Sequence, residues 1–484
     1  MIPNKSTNNL INWEIVSINP NEKNWNWRDL FCFWAVSIQS VIGFSLIASL
    51  YLVYDLNFYV VLFGGILASF LAFFFSTLIG NPSQKHGLPF PVILRSSTGV
   101  VGAKYIGLLR GIVGIFMFGV QTFFISKAIG YLIRILIFSI NTEIMDKEIF
   151  LVFFMGMNLI DIISFIFTLI VQFFLFSRGQ NFVRSIIKFS SYFVYFGLAI
   201  FLLIITENFN DVIKSASLSL QFDNFVSKSN ISPLILVTGT LFAYFSIIIL
   251  NFGDFSRYVK SNDQLIKGNL SLILNFIIFS IFAVLIVLGA DLILSKNMIE
   301  VERLLTNPND IIGKIDNTFL SIVVLLFVLV ASCSTNLIAN YIPSQNVLIN
   351  FLPKKLNPKS SGIIIILFSF IVGLLWLPFL SQIGILSLID TLGSFFGPIF
   401  GVIIADYFII RSSRIENKDI YSLEETGSYF YSNGWHLKSL YSILIGFIFA
   451  ASTIWNINLN FLQSFSWIVG AIIAFITYYL LASE

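Results

Sequence analysis

Charge is what this sequence lacks most. Of its 484 residues only 11% are Asp, Glu, Lys or Arg, while 57% are hydrophobic, and the mean hydropathy is +0.89. A soluble domain carries roughly 25% charged residues, so a water-exposed globule is excluded and the chain belongs in a membrane. Histidine and cysteine are scarce too, at His86, His436, Cys32 and Cys333. There is no H-E-x-x-H or C-x-x-C spacing, so metal and nucleophilic chemistry have almost nothing to work with. Both cysteines lie in apolar runs, where a thiol packs as a small hydrophobe. A net charge of +3 offers no basic surface for nucleic acid. The start, M-I-P-N-K-S-T-N-N-L, has no apolar stretch of the kind a cleavable signal needs. The first spanning helix is therefore expected to direct insertion itself.

What is present is a series of long apolar runs. A membrane span needs about 20 mostly apolar residues. Twelve such runs are predicted, at 30–54, 57–80, 105–139, 159–177, 187–205, 233–253, 270–295, 318–343, 361–380, 383–411, 438–456 and 461–482. An even number puts both termini on one side, and Lys and Arg collect on the cytoplasmic side of a membrane protein. On one set of loops stand only Lys147, Lys214, Lys228, Lys296, Arg303 and Lys314, and Lys127 and Arg134 lie inside span 3. The remaining 20 of the 28 Lys and Arg lie at the N-terminal segment and the loops after even-numbered spans, adjoining helix ends included, which predicts cytoplasmic termini in a plasma (inner) membrane. Residues 145–158 are apolar but too short to cross, and read as an extracellular surface or re-entrant piece. Asp161 then favours the N-terminus of span 4.

Polar residues inside the spans cluster. Span 1 carries Ser37, Gln39, Ser40 and Gly43, and span 3 carries Gly119, Gln121 and Thr122. Span 6 carries Thr238, Gly239, Thr240 and Ser246, and span 8 carries A-S-C-S-T-N-L-I-A-N at 331–340. Helix breaks are tolerated in hydrocarbon only where the backbone lines a protein cavity. Paired interruptions in corresponding spans of two halves mark an inverted-repeat transporter, and spans 1 and 6 are such a pair. Small residues also let helices approach closely, which makes packing the alternative at any single position. Four clusters on four spans favour one shared site.

Several motifs, in order and at compatible spacing, resemble the nucleobase–cation symporter family 1. They are N-W-N-W-R-D-L-F-C-F-W-A-V-S-I-Q-S, N-P-S-Q-K-H-G-L-P-F-P, F-M-F-G-V-Q-T-F, N-F-G-D-F-S-R-Y, C-S-T-N-L-I-A-N and G-P-I-F-G-V-I-I-A-D-Y-F-I-I-R. The resemblance implies an all-α membrane protein of twelve helices, with a leucine-transporter-type five-plus-five inverted repeat and two further helices. The boundaries follow: a cytoplasmic segment 1–29, repeats 30–205 and 233–411, connectors 206–232 and 412–437, and the added pair 438–484. The family's cation site falls on Ala35 and Ile38 of span 1 and on Ala331, Ser334 and Thr335 of span 8. Hydroxyls and carbonyls suit sodium, a hard cation. The family's substrate amides fall on Gln39, Gln121 and Asn340, with Asn336 beside them, and amides match a ring edged with C=O and N–H groups. The two aromatic clamp positions fall on Met117 and Phe245, and Tyr244 stands where a Gly is expected.

The resulting expectation is a symporter, not an enzyme, importing a nucleobase, hydantoin, allantoin or similar N-heterocycle with sodium by alternating access. No cofactor and no obligatory protein partner are implied beyond the substrate, the ion and the lipid bilayer. Proton coupling, or a vitamin precursor as cargo, is the alternative. A membrane-embedded transferase is the remote one, because it would need acidic D-D-x-x-D clusters that are absent. Lys127 and Asp390 are expected to pair at an outer gate, since an intramembrane charge calls for a partner.

Overall fold

The computed structural model describes residues 10–54, 56–141, 152–205, 231–296, 308, 311, 318–382 and 391–483. Among them, eleven helices are long and apolar enough to cross a membrane, and a broken pair, Trp27–Ile38 with Val41–Leu52, makes the twelfth span with a 62° bend. Span 1 packs on spans 5, 7 and 8, and span 2 on spans 6 and 7. Span 3 lies against spans 4, 8 and 9, while the last two spans pack on each other and on span 10.

Span 2 runs from Phe58 to His86, beyond its expected end at residue 80 and through Pro82. It stops where Gly87 takes a left-handed turn (φ 71°), a conformation that glycine adopts without a Cβ penalty. His86 therefore belongs to a helix end, not a loop, and its Nε2 lies 3.3 Å from Tyr407 Oη. Span 3 is longer still, Gly102–Ile140. Of the segment 145–158, residues up to 151 lie outside the described ones, and Phe153–Phe154 pairs with Met157–Asn158 in a small antiparallel hairpin.

The predicted interruption in the middle of span 6 is not there. Ile231–Leu250 is one helix, and the turn comes only at Asn251–Phe252, before the short helix Gly253–Ser256. A Cβ on Gly239 would lie 2.6 Å from Ser464 Cβ, so this glycine lets span 6 approach the segment before span 12. Packing, not breaking, is what the T-G-T cluster does.

The face predicted to be cytoplasmic, here called the basic face, is laced shut. The segment 10–26 crosses it as a strap, with Leu10 and Ile15 fully buried. Arg95 Nη2 donates to Leu10 O (3.3 Å), Arg257 Nη2 to Glu14 O (2.9 Å) and Tyr421 Oη to Ile15 O (3.1 Å). Asn12 Nδ2 reaches Pro353 O and Leu356 O, both at 2.9 Å. Trp25 N donates to Tyr258 O (3.0 Å). Burial lowers the Arg95 pKa to about 10.

Candidate functional site

Span 1 breaks between Ile38 and Val41 because a capping residue stands ready there. Ser40 is the N-cap of the second half, and its Oγ accepts from Gly43 N at 2.9 Å. A break inside hydrocarbon frees carbonyls that must find donors. Tyr244 Oη, from span 6, donates to Ser37 O (2.7 Å) and lies 3.0 Å from Ser40 Oγ. Thr335 Oγ1, from span 8, donates to Val36 O at 2.7 Å and to Ala331 O at 3.0 Å. Gln39 N satisfies Ala35 O (3.0 Å) and Ser40 N satisfies Ile38 O (2.8 Å).

Of the expected cation residues, Thr335 and Ala331 come to the break in span 1, while Ala35 O and Ile38 O already accept backbone N–H groups there. Span 8 meets the span 1 break through Thr335, and Gln39, Ser40 and Ala331 line one cavity of about 30 Å³ with Val194, Phe279 and Val328. Ser334 Oγ turns to its own helix, towards Val330 O (2.8 Å) and Ala331 O (2.9 Å). Among the described residues no group of three His, Cys, Asp or Glu could hold a metal ion. A cation here would have to be held by hydroxyl and backbone oxygens alone.

On the other side of span 8 lies a buried chain of amides. The helix there loosens into a π-turn over Leu337–Tyr341, a distortion that often sits at functional sites. Asn340 Nδ2 donates to Gln121 Oε1 (3.0 Å) and to Asn336 Oδ1 (2.9 Å). Asn336 Nδ2 reaches Thr122 Oγ1 (3.0 Å) and Gln172 Oε1 (3.1 Å). Gln121 Nε2 donates to Ser332 O at 3.3 Å. Three spans, 3, 4 and 8, supply five buried polar side chains to this chain of amides. Thr122 belongs to the polar cluster expected on span 3, whereas Gln172 was not expected in the site. Gln172, fully buried, is a lone amide in the apolar run T-L-I-V-Q-F-F, and that isolation was the available signal.

Other expected residues take different positions. Gln39 does not join the amides, because its Nε2 points to Ser191 O of span 5 (3.3 Å). Phe245 is 1% exposed and packs against Phe276 of span 7, with ring centroids 6.4 Å apart. Met117 is half-buried on span 3, and its neighbours diverge. Phe116 faces Trp376 at 6.4 Å and Phe118 faces Tyr341 at 5.6 Å. No aromatic sandwich is formed by these side chains. Lys127 pairs with Asp161 of span 4 (3.2 Å), which Arg134 also holds (2.8 Å). Asp390 lies outside the described residues.

Known proteins place this architecture. The family model described as "Permease for cytosine/purines, uracil, thiamine, allantoin" matches residues 17–480. The allantoin permease of Bacillus subtilis is 25% identical over 99% of this chain and 94% of its own length. The purine-uracil permease of Arabidopsis thaliana is 24% identical over 91% of this chain and 70% of its own. Among solved structures, the nucleobase-cation-symport-1 transporter Mhp1, closed around bromovinylhydantoin, superposes with a TM-score of 0.72 at 18% identity, covering 97% of this chain and 95% of that one. A Na+-coupled sialic acid symporter superposes at 0.67 and 12% identity, covering 96% and 91%. The fold is therefore the leucine-transporter type, and the chain belongs to the nucleobase–cation–symport-1 family of membrane permeases.

Proposed function

We propose that the chain imports a small cyclic amide, ureide or nucleobase together with sodium, by alternating access across the plasma (inner) membrane, with both termini cytoplasmic. The carrying observation is the amide chain Gln121–Asn340–Asn336–Gln172, buried on spans 3, 8 and 4. Each amide offers both donors and acceptors, so a ring edged with alternating C=O and N–H can replace these side-chain partners one for one. Membership of a permease family, and relatives named for allantoin, purines and uracil, support the same class of cargo. Sodium coupling rests on the resemblance of Ala331, Ser334 and Thr335 to the family's cation positions, with Thr335 and Ala331 standing beside the break in span 1. Binding an ion there would tie spans 1 and 8 together, which is how an ion gradient can bias a rocking transporter.

Tyr244 is the specificity element of this reading. Its hydroxyl is engaged with the break itself, and its ring fills space that a glycine would leave free. A compact ring is favoured over one with a bulky substituent. The test is a thermal-shift screen of the purified protein against allantoin, hydantoins, uracil, cytosine and purines, in sodium and in choline. Ligand binding raises Tm by mass action. One heterocycle that stabilises in sodium and not in choline is the expected result. Equal shifts in choline would reject sodium, and no shift with any ring would reject the cargo class. With Ser334→Ala, the sodium requirement should weaken before ring affinity does.

A further inference from the structure

Arg110 lies inside span 3 and is fully buried, and the transport scheme above does not use it. Its Nη2 donates to Ala339 O in the π-turn of span 8, and its guanidinium stands 5.7 Å from the centre of the Phe396 ring. Its Nε and Nη1 have no hydrogen-bond partner among the described residues, and no described carboxylate is within ion-pair distance. Asp254 is close enough to act on it only electrostatically. Burying a guanidinium with unmet donors is expensive, and an intramembrane charge kept at that cost points to a polar cargo.

Its position says which cargo. Arg110 precedes Gln121 by eleven residues, about three helical turns, so both project from the same face of span 3, about 16 Å apart along the axis. Gly114, between them, leaves that face bare. A Cβ there would run into Ser344 Oγ, would meet Arg110 Nη1 at 2.7 Å and would lie 3.3 Å from Asn340 O. Guanidinium, hydroxyl and the carbonyl of a substrate-site residue therefore converge just on the basic side of the amide chain. A guanidinium offers in-plane pairs of N–H groups, which match carbonyl oxygens on a ring.

We propose that Arg110, with Ser344, forms a second subsite on the release side, which takes the carbonyl oxygens of the cyclic amide or ureide as it leaves the amide chain for the basic face. This rests on the heterocycle reading above. In the described state Phe396, Ala339 and the closed basic face hold Arg110 ready, and opening of that face presents its free N–H groups to the departing ring.

The test measures KM for radiolabelled allantoin, uracil and hydantoin separately from each face, in right-side-out and inverted membrane vesicles holding the full chain. Arg110→Gln is expected to raise KM in inverted vesicles about tenfold, the worth of a hydrogen bond to a charged group, and to leave KM in right-side-out vesicles within about twofold. Arg110→Lys should fall between, because it keeps the charge but not the fork. Ser344→Ala should raise KM on the inverted side alone, and these two variants carry the test if Arg110→Gln does not fold. Equal changes at both faces, or none at either, would overturn the subsite. Wild-type vesicles that take up no heterocycle would reject the cargo reading first, before any variant is compared.

Discussion

Spans 1 and 6 hold the same rank in the two repeats, yet they treat their small polar residues in opposite ways. Span 1 breaks at Gln39–Ser40, and spans 6 and 8 lend hydroxyls to the carbonyls it frees. Span 6 keeps its helix to Leu250 and spends Gly239 on close packing against Ser464 and Phe465. The difference shows what a break requires. Glycine and hydroxyl content are common to both spans. Only span 1 combines a capping serine with outside donors placed at the released carbonyls.

The comparison can be broken at several points. Asn340→Leu should do the most. It leaves Gln121 Oε1 and Asn336 Oδ1 without their donor, and uptake of the preferred ring should fall about 100-fold, as expected for two lost buried hydrogen bonds. Uptake that survives would move the cargo away from span 8. Tyr244→Phe removes the donor to Ser37 O and should cost about 1–3 kcal/mol, read as a lower Tm, together with a wider range of accepted ring substituents. An unchanged Tm would mean that the break holds itself. Gly239→Leu should overpack the contact with Ser464 by about 1–3 kcal/mol, while uptake per folded molecule stays as it was. Lost uptake at normal Tm would return the span 6 cluster to the transport route.

The smallest effect concerns pH. Asp254, in the short helix after span 6, is 1% exposed, and burial raises its pKa from 3.8 to about 6 against the pull of Arg257 and of hydrogen bonds from Asn251 Nδ2 and Phe90 N. Arg110 faces it as well. The folded, closed form thus holds this proton more tightly than the unfolded chain does. Stability should rise as pH falls from above 6 towards 3.8 and be level outside that window. Asp254→Asn should flatten the profile, and a slope that persists in the variant would assign it to another group.

Much of this was legible in the sequence, for reasons that differ by residue. Hydrocarbon thickness fixes the least length of a span, so all twelve runs could be found, but it sets no upper limit, and spans 2, 5, 7 and 8 extend six to eight residues beyond their expected bounds. Gln121, Asn336 and Asn340 stood out because amides in an apolar helix must find partners, and they found one another. Gln172 was passed over as a solitary residue, although the same logic applied to it. Arg110 was counted with the positive charges that mark a helix end, and only the fold reveals that it is fully buried. The direction of Gln39 depends on how the first half of span 1 is rotated after the break, which no local pattern encodes. The extension of span 2 through Pro82 was also hidden, since proline usually predicts an end.

One feature of span 3 has a mechanical side. At 39 residues it is about 58 Å long, nearly twice the hydrocarbon thickness. Gln121 sits at its middle, Arg110 towards one end, and Lys127 and Arg134 towards the other. If the helix pivots as a stiff rod, Gln121 is the fulcrum. A tilt of about 5° would hardly move the amide chain, yet it would carry Arg110 and Arg134 about 1.5 Å in opposite directions. That is enough to exchange one hydrogen-bond partner for another. A single lever would then loosen contacts at one mouth while tightening those at the other, with the cargo resting at the point of least motion.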